Sequence, residues 1–505
     1  MTITSYGTGA YRSASPNSFV STRGQLSDLE RQLATKEKAE SYGALGMDRM
    51  TSLDLNGKLS SLDSWLGGIS LADVNLKLST KTVENFAKLA SETVNDTRSN
   101  SYVASATGRS APQVLAEEKF KQTLDMLNTS VNGRYLFSGK TSDIQPTVSY
   151  SEMIDGDGTG RAGLRQLVSE RRQADLGVSG LGRLTTGGAG ATATIADEAP
   201  VHSYGFKLAG ATSTAASLTP TFTAGPPADI SVTVASQPVP GDALRFKLSL
   251  PDGTQEEIVL TARAAGSTGS AADSFEIGVD VNATAANLRG SITAALSKAA
   301  STTLSAASSQ VAAQNFFAGS VSNPPLRVPG PPYDTATAAP AAGTAANTVI
   351  WYQGDDDSDP ARSTATVQVD KGQLVGTGAR ANEEAFRVGL AQFGVMAIET
   401  FPAGDPNSQA RYEAMTSRVS EKLGFGGAVQ KPAEIITDFG SAQTSLARAK
   451  ERHESTKNYL TTTLAGVQNV TTEEVAVQIL ALQTQLQASY QTTAILSKLS
   501  LTNYL

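Results

Sequence analysis

The residues of this chain whose types and spacing could do chemistry are few: His202, His453 and an acidic run, Asp355-Asp356-Asp357 with Asp359. His453-Glu454 begins the helical zinc-protease pattern, in which two His one turn apart hold the metal and Glu acts as base. Position 457 is Lys457, so the second ligand is missing and His453 is expected to be a solvated helix residue. His202 has no ligand partner near it in sequence. The four carboxylates could in principle hold calcium, which takes several carboxylate oxygens, but their spacing is not that of a calcium-binding loop. A solvated acidic turn is expected. Cysteine is absent, which excludes a disulfide framework, a thiolate metal site and a cysteine nucleophile. No serine stands in a nucleophile elbow, and neither a phosphate-binding Walker loop nor a dinucleotide glycine fingerprint occurs. The sequence therefore assigns no catalytic residue, no cofactor and no metal site, and the chain is not read as an enzyme.

The elements around these residues are set out by proline. Nineteen of the 20 prolines lie from Pro112 to Pro432, the other being Pro16. A proline inside a helix removes a hydrogen bond and clashes with the preceding turn, so the proline-free ends can be long helices. The expected fold is α+β and multidomain. A long helical, coiled-coil-like core is built from both chain ends, with short β-hairpins and an inserted β-rich outer domain. The net charge of −7 argues against nucleic acid as the main partner. No apolar run approaches the ~20 residues needed to cross a bilayer, so no membrane insertion is expected. The polar N-terminus lacks the apolar core of a secretory signal, so composition alone suggests the cytoplasm. The absence of cysteine fits chance equally well as a chain that is unfolded for export.

Met1 to Pro16 reads as flexible, and Phe19 to about Glu40 as a helix with Leu26, Leu29 and Leu33 on one face. From Leu55 one frame recurs every seven residues through Leu62, Ile69, Leu76, Val83 and Ala90. A paired frame holds Leu59, Leu66, Ala87 and Val94 and is broken by Asp73 and Thr80. Gly67-Gly68 weakens this seam locally. Ser110, Pro112 and Gln113 announce the next helix, with a capping box and a first-turn proline. Asn132-Gly133 ends it, and Arg134–Phe137 reads as a short strand. A small helix follows between Gly160 and Gly177.

Period-two runs mark strands at Ile230–Val234, Leu244–Leu250 and Phe275–Val281, with a turn at Pro251-Asp252-Gly253. A helix carrying Leu288, Ile292 and Leu296 follows, and Asn323–Asn347 reads as a Pro/Ala linker. Helix returns from Asn382 to about Glu399 and again from Pro432 through Ile435, Phe439 and Leu446. After a pause near Gln468-Asn469, Thr471 and Glu474 form a second capping box. The last helix carries an apolar seam opposite a Gln- and Thr-rich face (Gln478, Gln483, Thr484, Gln485, Gln487), which suits packing against copies of itself.

Three segments carry a resemblance. Asn132-Gly133-Arg134-Tyr135-Leu136-Phe137-Ser138-Gly139, after a long helical region, resembles the helix-to-hairpin junction of the bacterial flagellin family. Arg380-Ala381-Asn382-Glu383-Glu384-Ala385-Phe386-Arg387, after Trp351-Tyr352-Gln353-Gly354-Asp355, is similar to the return from that family's outer domain. The ending Leu499-Ser500-Leu501-Thr502-Asn503-Tyr504-Leu505 resembles that of the family's hook–filament junction members more than its bulk filament subunits, which more often close on Arg. The likeness spans roughly the first 180 and last 155 residues.

The resemblance implies an extracellular structural component of the flagellum, exported by the type III apparatus without a cleaved signal. Its implied partners are hook-associated protein 1, flagellin, an export chaperone and further copies of itself in a ring or helical layer. It also implies an assembly interface in which Leu26, Leu29 and Leu33 meet Val475, Ile479, Leu482, Leu486, Leu496 and Leu499. The expected division is 1–45 with 465–505 as inner helices, 46–196 with 348–464 as a helical rod with hairpins, and 197–347 as the inserted outer domain. A filament subunit remains the alternative. An exported enzyme on the same scaffold would need a catalytic constellation that the insert lacks.

Overall fold

The computed structural model describes residues 8–99, 101–103 and 105–502, with side chains between 19 and 495. Along the chain run helices α1 (Thr8–Thr35), α2 (Arg49–Ser99) and α3 (Ala111–Leu127), hairpin strands β1 (Ser130–Val131) and β2 (Arg134–Tyr135), and helices α4 (Tyr150–Asp155) and α5 (Leu164–Leu176). Eight strands follow: β3 (Leu184–Gly187), β4 (Thr192–Asp197), β5 (Lys207–Ser213), β6 (Leu218–Thr223), β7 (Asp229–Val234), β8 (Ala243–Ser249), β9 (Gln255–Arg263) and β10 (Ser274–Glu276). Then come α6 (Val281–Ala299), α7 (Ser305–Ala318), strands β11 (Leu326–Arg327), β12 (Ala341–Ala342), β13 (Thr366–Asp370) and β14 (Gln373–Gly376), and helices α8 (Glu384–Ile398), α9 (Ser408–Lys422), α10 (Pro432–Gln468) and α11 (Thr472–Thr502). The chain is thus a mixed α+β protein, and its described residues fall into two compact units.

The first unit holds the chain up to Leu71, the hairpin tip Gln368–Leu374 and the chain from Thr444 onward. Here the first part of α2 runs antiparallel to the end of α10. Gln468 Nε2 donates to Ser52 Oγ at 2.7 Å, Lys457 pairs with Asp63 at 2.6 Å, and Trp65 lies 5.3 Å from the His453 ring. His453 is therefore buried between Trp65 and the backbone carbonyl of Val369, which its Nε2 meets, and is not the solvated residue expected. The reason is local: the β13–β14 tip folds over this face of α10 and supplies the carbonyl. α1 begins upstream of Pro16, inside the stretch expected to be flexible, and ends at Thr35 before Glu40.

The second unit holds Ala72–Val367 and Val375–Gln443. α8 is its central helix and is buried along almost its whole length. Gln113 closes back on the Ser110 amide as the capping box requires, and also donates to the carbonyls of Met396 and Glu399, so one side chain both caps α3 and ties it to α8. Where α8 passes α2, Gly389 is obligatory: a Cβ there would stand 2.4 Å from the Phe86 ring.

All six positions of the seven-residue frame from Leu55 to Ala90 are buried, and α2 passes Gly67-Gly68 unbroken. The second frame differs from expectation. Up to Leu66 it follows Leu59 and Leu66, both half-buried, but beyond Ile69 the buried set is Ala72, Ser79, Phe86 and Thr93. The seam steps 66, 69, 72, a double step of three that shifts its phase by one residue. Asp73 and Thr80 therefore do not interrupt a seam; they lie beside it.

The β-rich part packs two four-stranded sheets, ordered β3-β4-β7-β6 and β10-β9-β8-β5. All named pairings are antiparallel except β10 with β9. Its single core runs from Leu184 through Ile230, Phe246, Leu260 and Phe275 to Leu288, Ile292 and Ala307 on the helices. Two expectations change. The run Phe275–Val281 is strand only at Phe275 and Glu276, because Asp280 accepts from the Ala283 amide and caps α6, which leaves Val279 exposed and makes Val281 helical. The supposed linker 323–347 is tied down: Arg327 and Tyr333 both bond the buried Glu170, and the Tyr204 hydroxyl donates to the Ala338 carbonyl at 2.9 Å. Val328, Tyr333 and Ala336 give that Pro-rich stretch apolar surface to bury.

Candidate assembly surface

The two terminal helices pair within the first unit. Just inside their ends the chain is clipped by backbone bonds, the Lys38 amide to the Gln468 carbonyl (2.7 Å) and the Val470 amide to the Lys36 carbonyl (3.0 Å). At the far end Phe19 stacks on Tyr490 with ring centroids 5.3 Å apart. Contacts at 37/469 and 19/490 fix an antiparallel hairpin. The overlap on α1, Phe19–Thr35, spans about 25 Å.

Interpolating between those contacts sets Leu29 level with Ile479, and Leu26 level with Leu482. Leu29 (7% exposed) and Val475 (1%) are buried; Leu26, Ile479, Leu482 and Leu486 are half-buried. Leu33 is at the exposed rim, and Leu496 and Leu499 lie outside the residues whose side chains are described. Of the nine expected interface leucines and aliphatics, six thus form one intramolecular seam.

A second apolar set faces away from it. Val20 (73% exposed), Val477 (66%), Leu480 (63%) and Ile495 are open to solvent, whereas Tyr490, though 62% exposed, lies on the seam side against Phe19. Val477, Leu480, Thr484, Ala488 and Ile495 follow at helical spacing along one side of α11. The expected seam reading missed this ridge. Its signal is present in the doubled pattern Val475-Ala476-Val477-Gln478-Ile479-Leu480-Ala481-Leu482, which serves two faces at once. From Val475 to Ser497 there is no charged residue, so no charge marks a solvated face along this stretch of α11. No described helix is long and apolar enough to cross a membrane.

The second unit brings together two of the three resemblance segments, 132–139 and 380–387 with 351–355. Asn132 (φ 52°) and Gly133 (φ 75°) make the two-residue turn of the β1–β2 hairpin, both in the left-handed region. The following Ser138 pairs with Arg380, the Asp355 amide donates to the Ser138 carbonyl at 2.9 Å, and the Gly139 amide donates to the Ala379 carbonyl at 3.1 Å. Arg380 is buried and donates to Asp355 Oδ2 (2.8 Å) and to the carbonyls of Asp357 and Asp359 (2.9 Å each). Lys140 Nζ reaches both Asp357 and Asp359.

The acidic run is thus the exposed turn expected at Asp357 and Asp359, paired there with Lys140, while its start is tied down, Asp355 by Arg380 and Asp356 by the Ser322 amide and hydroxyl. The Lys140 ammonium, then Arg380, hold the Asp357 carboxyl well below the usual carboxylate range, and the two aspartates push the Lys140 ammonium up in turn. Among the described residues no group of three or more His, Asp or Glu is placed to hold a metal. His202 is buried, and its Nδ1 takes the Tyr204 amide; burial pushes its imidazolium down, so the ring is kept neutral.

Neither a protein-family model nor a curated protein matches this chain.

Proposed function

We propose that this chain is a self-assembling structural subunit of the bacterial flagellum, a junction protein akin to hook-associated protein 3. In this reading it adapts hook-associated protein 1 to the first flagellin layer. Its helical ends, with α2 and α10, act as a coiled-coil-like core in the assembled tube, and the β-rich part faces outward. It is exported with the help of a chaperone and works outside the cell.

The observation that carries the reading is the second apolar ridge on the terminal hairpin. Burial of such a ridge contributes about 25 cal/mol per Å2 of apolar surface, and here nothing within the described chain takes it up. A ridge matched to a different surface of the next copy gives heterologous contacts, which close into rings or run on as helices. The meeting of 132–139, 351–355 and 380–387 around Arg380 adds support, since these make up two of the three segments that resemble the flagellin family.

The test is seeded growth, with tagged protein located on flagella. A junction subunit adds a short zone to hook-capped seeds and stops, and its tag gives one spot at the hook end. Indefinite elongation with label along the filament assigns the chain as a filament subunit. No incorporation at all overturns the flagellar reading.

A further inference from the structure

A cavity of about 540 Å3 opens in the second unit where α7, α8 and the end of α9 meet the loop that follows. Its wall includes Gln314, Arg387, Val388, Lys422 and Gly427. Among the described residues, Arg387 makes no side-chain hydrogen bond or ion pair, and its Nε is sealed from solvent without a partner. A buried guanidinium N–H left unmade is costly, and Arg is the side chain best shaped to grip a planar or tetrahedral oxyanion.

Lys422 is half-buried and also unpaired. Of the two carboxylates at the wall, Glu384 already accepts the Gln430 amide (2.9 Å), while Glu421 is exposed. Gly426 and Gly427 leave the rim open, with no atom within 4 Å of a built Cβ.

A second set of unpaired polar atoms lies beside the cavity. Gln310 lies one turn from Gln314 on the same face of α7, and Gln392 one turn from Val388 on α8. Both are buried, and all four of their amide nitrogen and oxygen atoms lack partners. Buried amides in native proteins are satisfied by protein, water or ligand. These two lie one turn beyond Gln314 and Val388, which line the cavity.

We infer that this cavity binds a small molecule bearing a carboxylate or phosphate, with Arg387 as its main anchor, Lys422 as a second cation and the Gln314 amide as a further polar contact. The site is independent of the assembly surface, and it stands whether or not the flagellar reading does.

The test is thermal unfolding and titration calorimetry of the full chain with inorganic phosphate and with succinate, against sodium chloride at equal ionic strength. The expected result is a saturable rise in the unfolding midpoint with at least one of the two anions. The anion that acts distinguishes phosphate from carboxylate recognition. Arg387→Leu should weaken that binding by about tenfold or more. Without ligand, Arg387→Leu should melt no lower than the parent, because the arginine has no structural partner to lose; Lys422→Gln serves as a second, milder variant. No rise beyond chloride with either anion overturns the inference, as does a rise that survives Arg387→Leu undiminished. A lower ligand-free midpoint in that variant, with no effect on binding, assigns Arg387 a structural role and also overturns it.

Discussion

Two leucines two positions apart on α11 separate the seam from the ridge. Leu482 is half-buried against α1, whereas Leu480 is 63% exposed and faces away. Fully burying a leucine side chain is worth about 2 kcal/mol, so the fraction of Leu480 still to be covered represents about 1.3 kcal/mol. If the ridge is sealed by a neighbouring copy, Leu480→Ala forfeits that amount at each contact. At 1.4 kcal/mol per factor of ten, the critical concentration for assembly rises about tenfold. The isolated subunit changes little, since the remaining covered third is worth well under 1 kcal/mol. The assay is the sedimentable fraction of seeded protein against total concentration, with circular dichroism of the unassembled chain as control. A critical concentration within twofold of the parent, with the hairpin intact, would refute the argument that the ridge is a contact between copies.

Three further outcomes are expected. Deleting Val475–Leu505 should abolish assembly yet leave the melting transition of the β-rich core, because that core lies between Leu184 and Ala307; loss of both transitions would contradict this independence. Gly139→Ala should destabilise the second unit by about 2 kcal/mol or more in denaturant unfolding, because φ is +64° and a Cβ would stand 2.9 Å from Asp355 Cβ. Gly133→Ala, with φ +75° but open space, should lose only about 1 kcal/mol, so equal losses would exclude the Asp355 contact as the cause. Finally, Lys140→Gln should melt below the parent at neutral pH. Asp357 titrates below its unfolded value of ~3.9, so its contribution is complete above that value and is lost as pH falls through the lower folded one. The gap between variant and parent should therefore close towards pH 2, and a gap of constant width would remove Asp357 from the account.

What was legible in the sequence follows from how local each signal is. Ser110–Gln113 and Thr471–Glu474 were readable as helix starts, because a cap is made by residues three apart. Asn132-Gly133 was read as the end of the helix that Ser110 opens, whereas that helix stops at Leu127 and the pair, with both φ angles positive, turns the β1–β2 hairpin. The seven-residue frame of α2 was readable, but not its change of phase, since Ala72, Ser79 and Thr93 are small or polar and announce no burial. Strands β5, β6 and β9 were missed where Gly210, Pro220 and Gln255–Glu257 dilute the alternation. The state of Asp355–Asp359 depended on Arg380 and Lys140, which are distant in sequence. The cavity beside Arg387 was invisible for the same reason, as nothing local tells a paired arginine from an unpaired one.

The uncharged run from Val475 to Ser497 has a consequence for the media in which cohesion holds. Counter-ions weaken attraction between exposed charges, and a contact face without charges offers them nothing to screen. Excluded salts such as sulfate strengthen apolar burial instead. Bonds between copies made through α11 would therefore be as firm in brine as in fresh water.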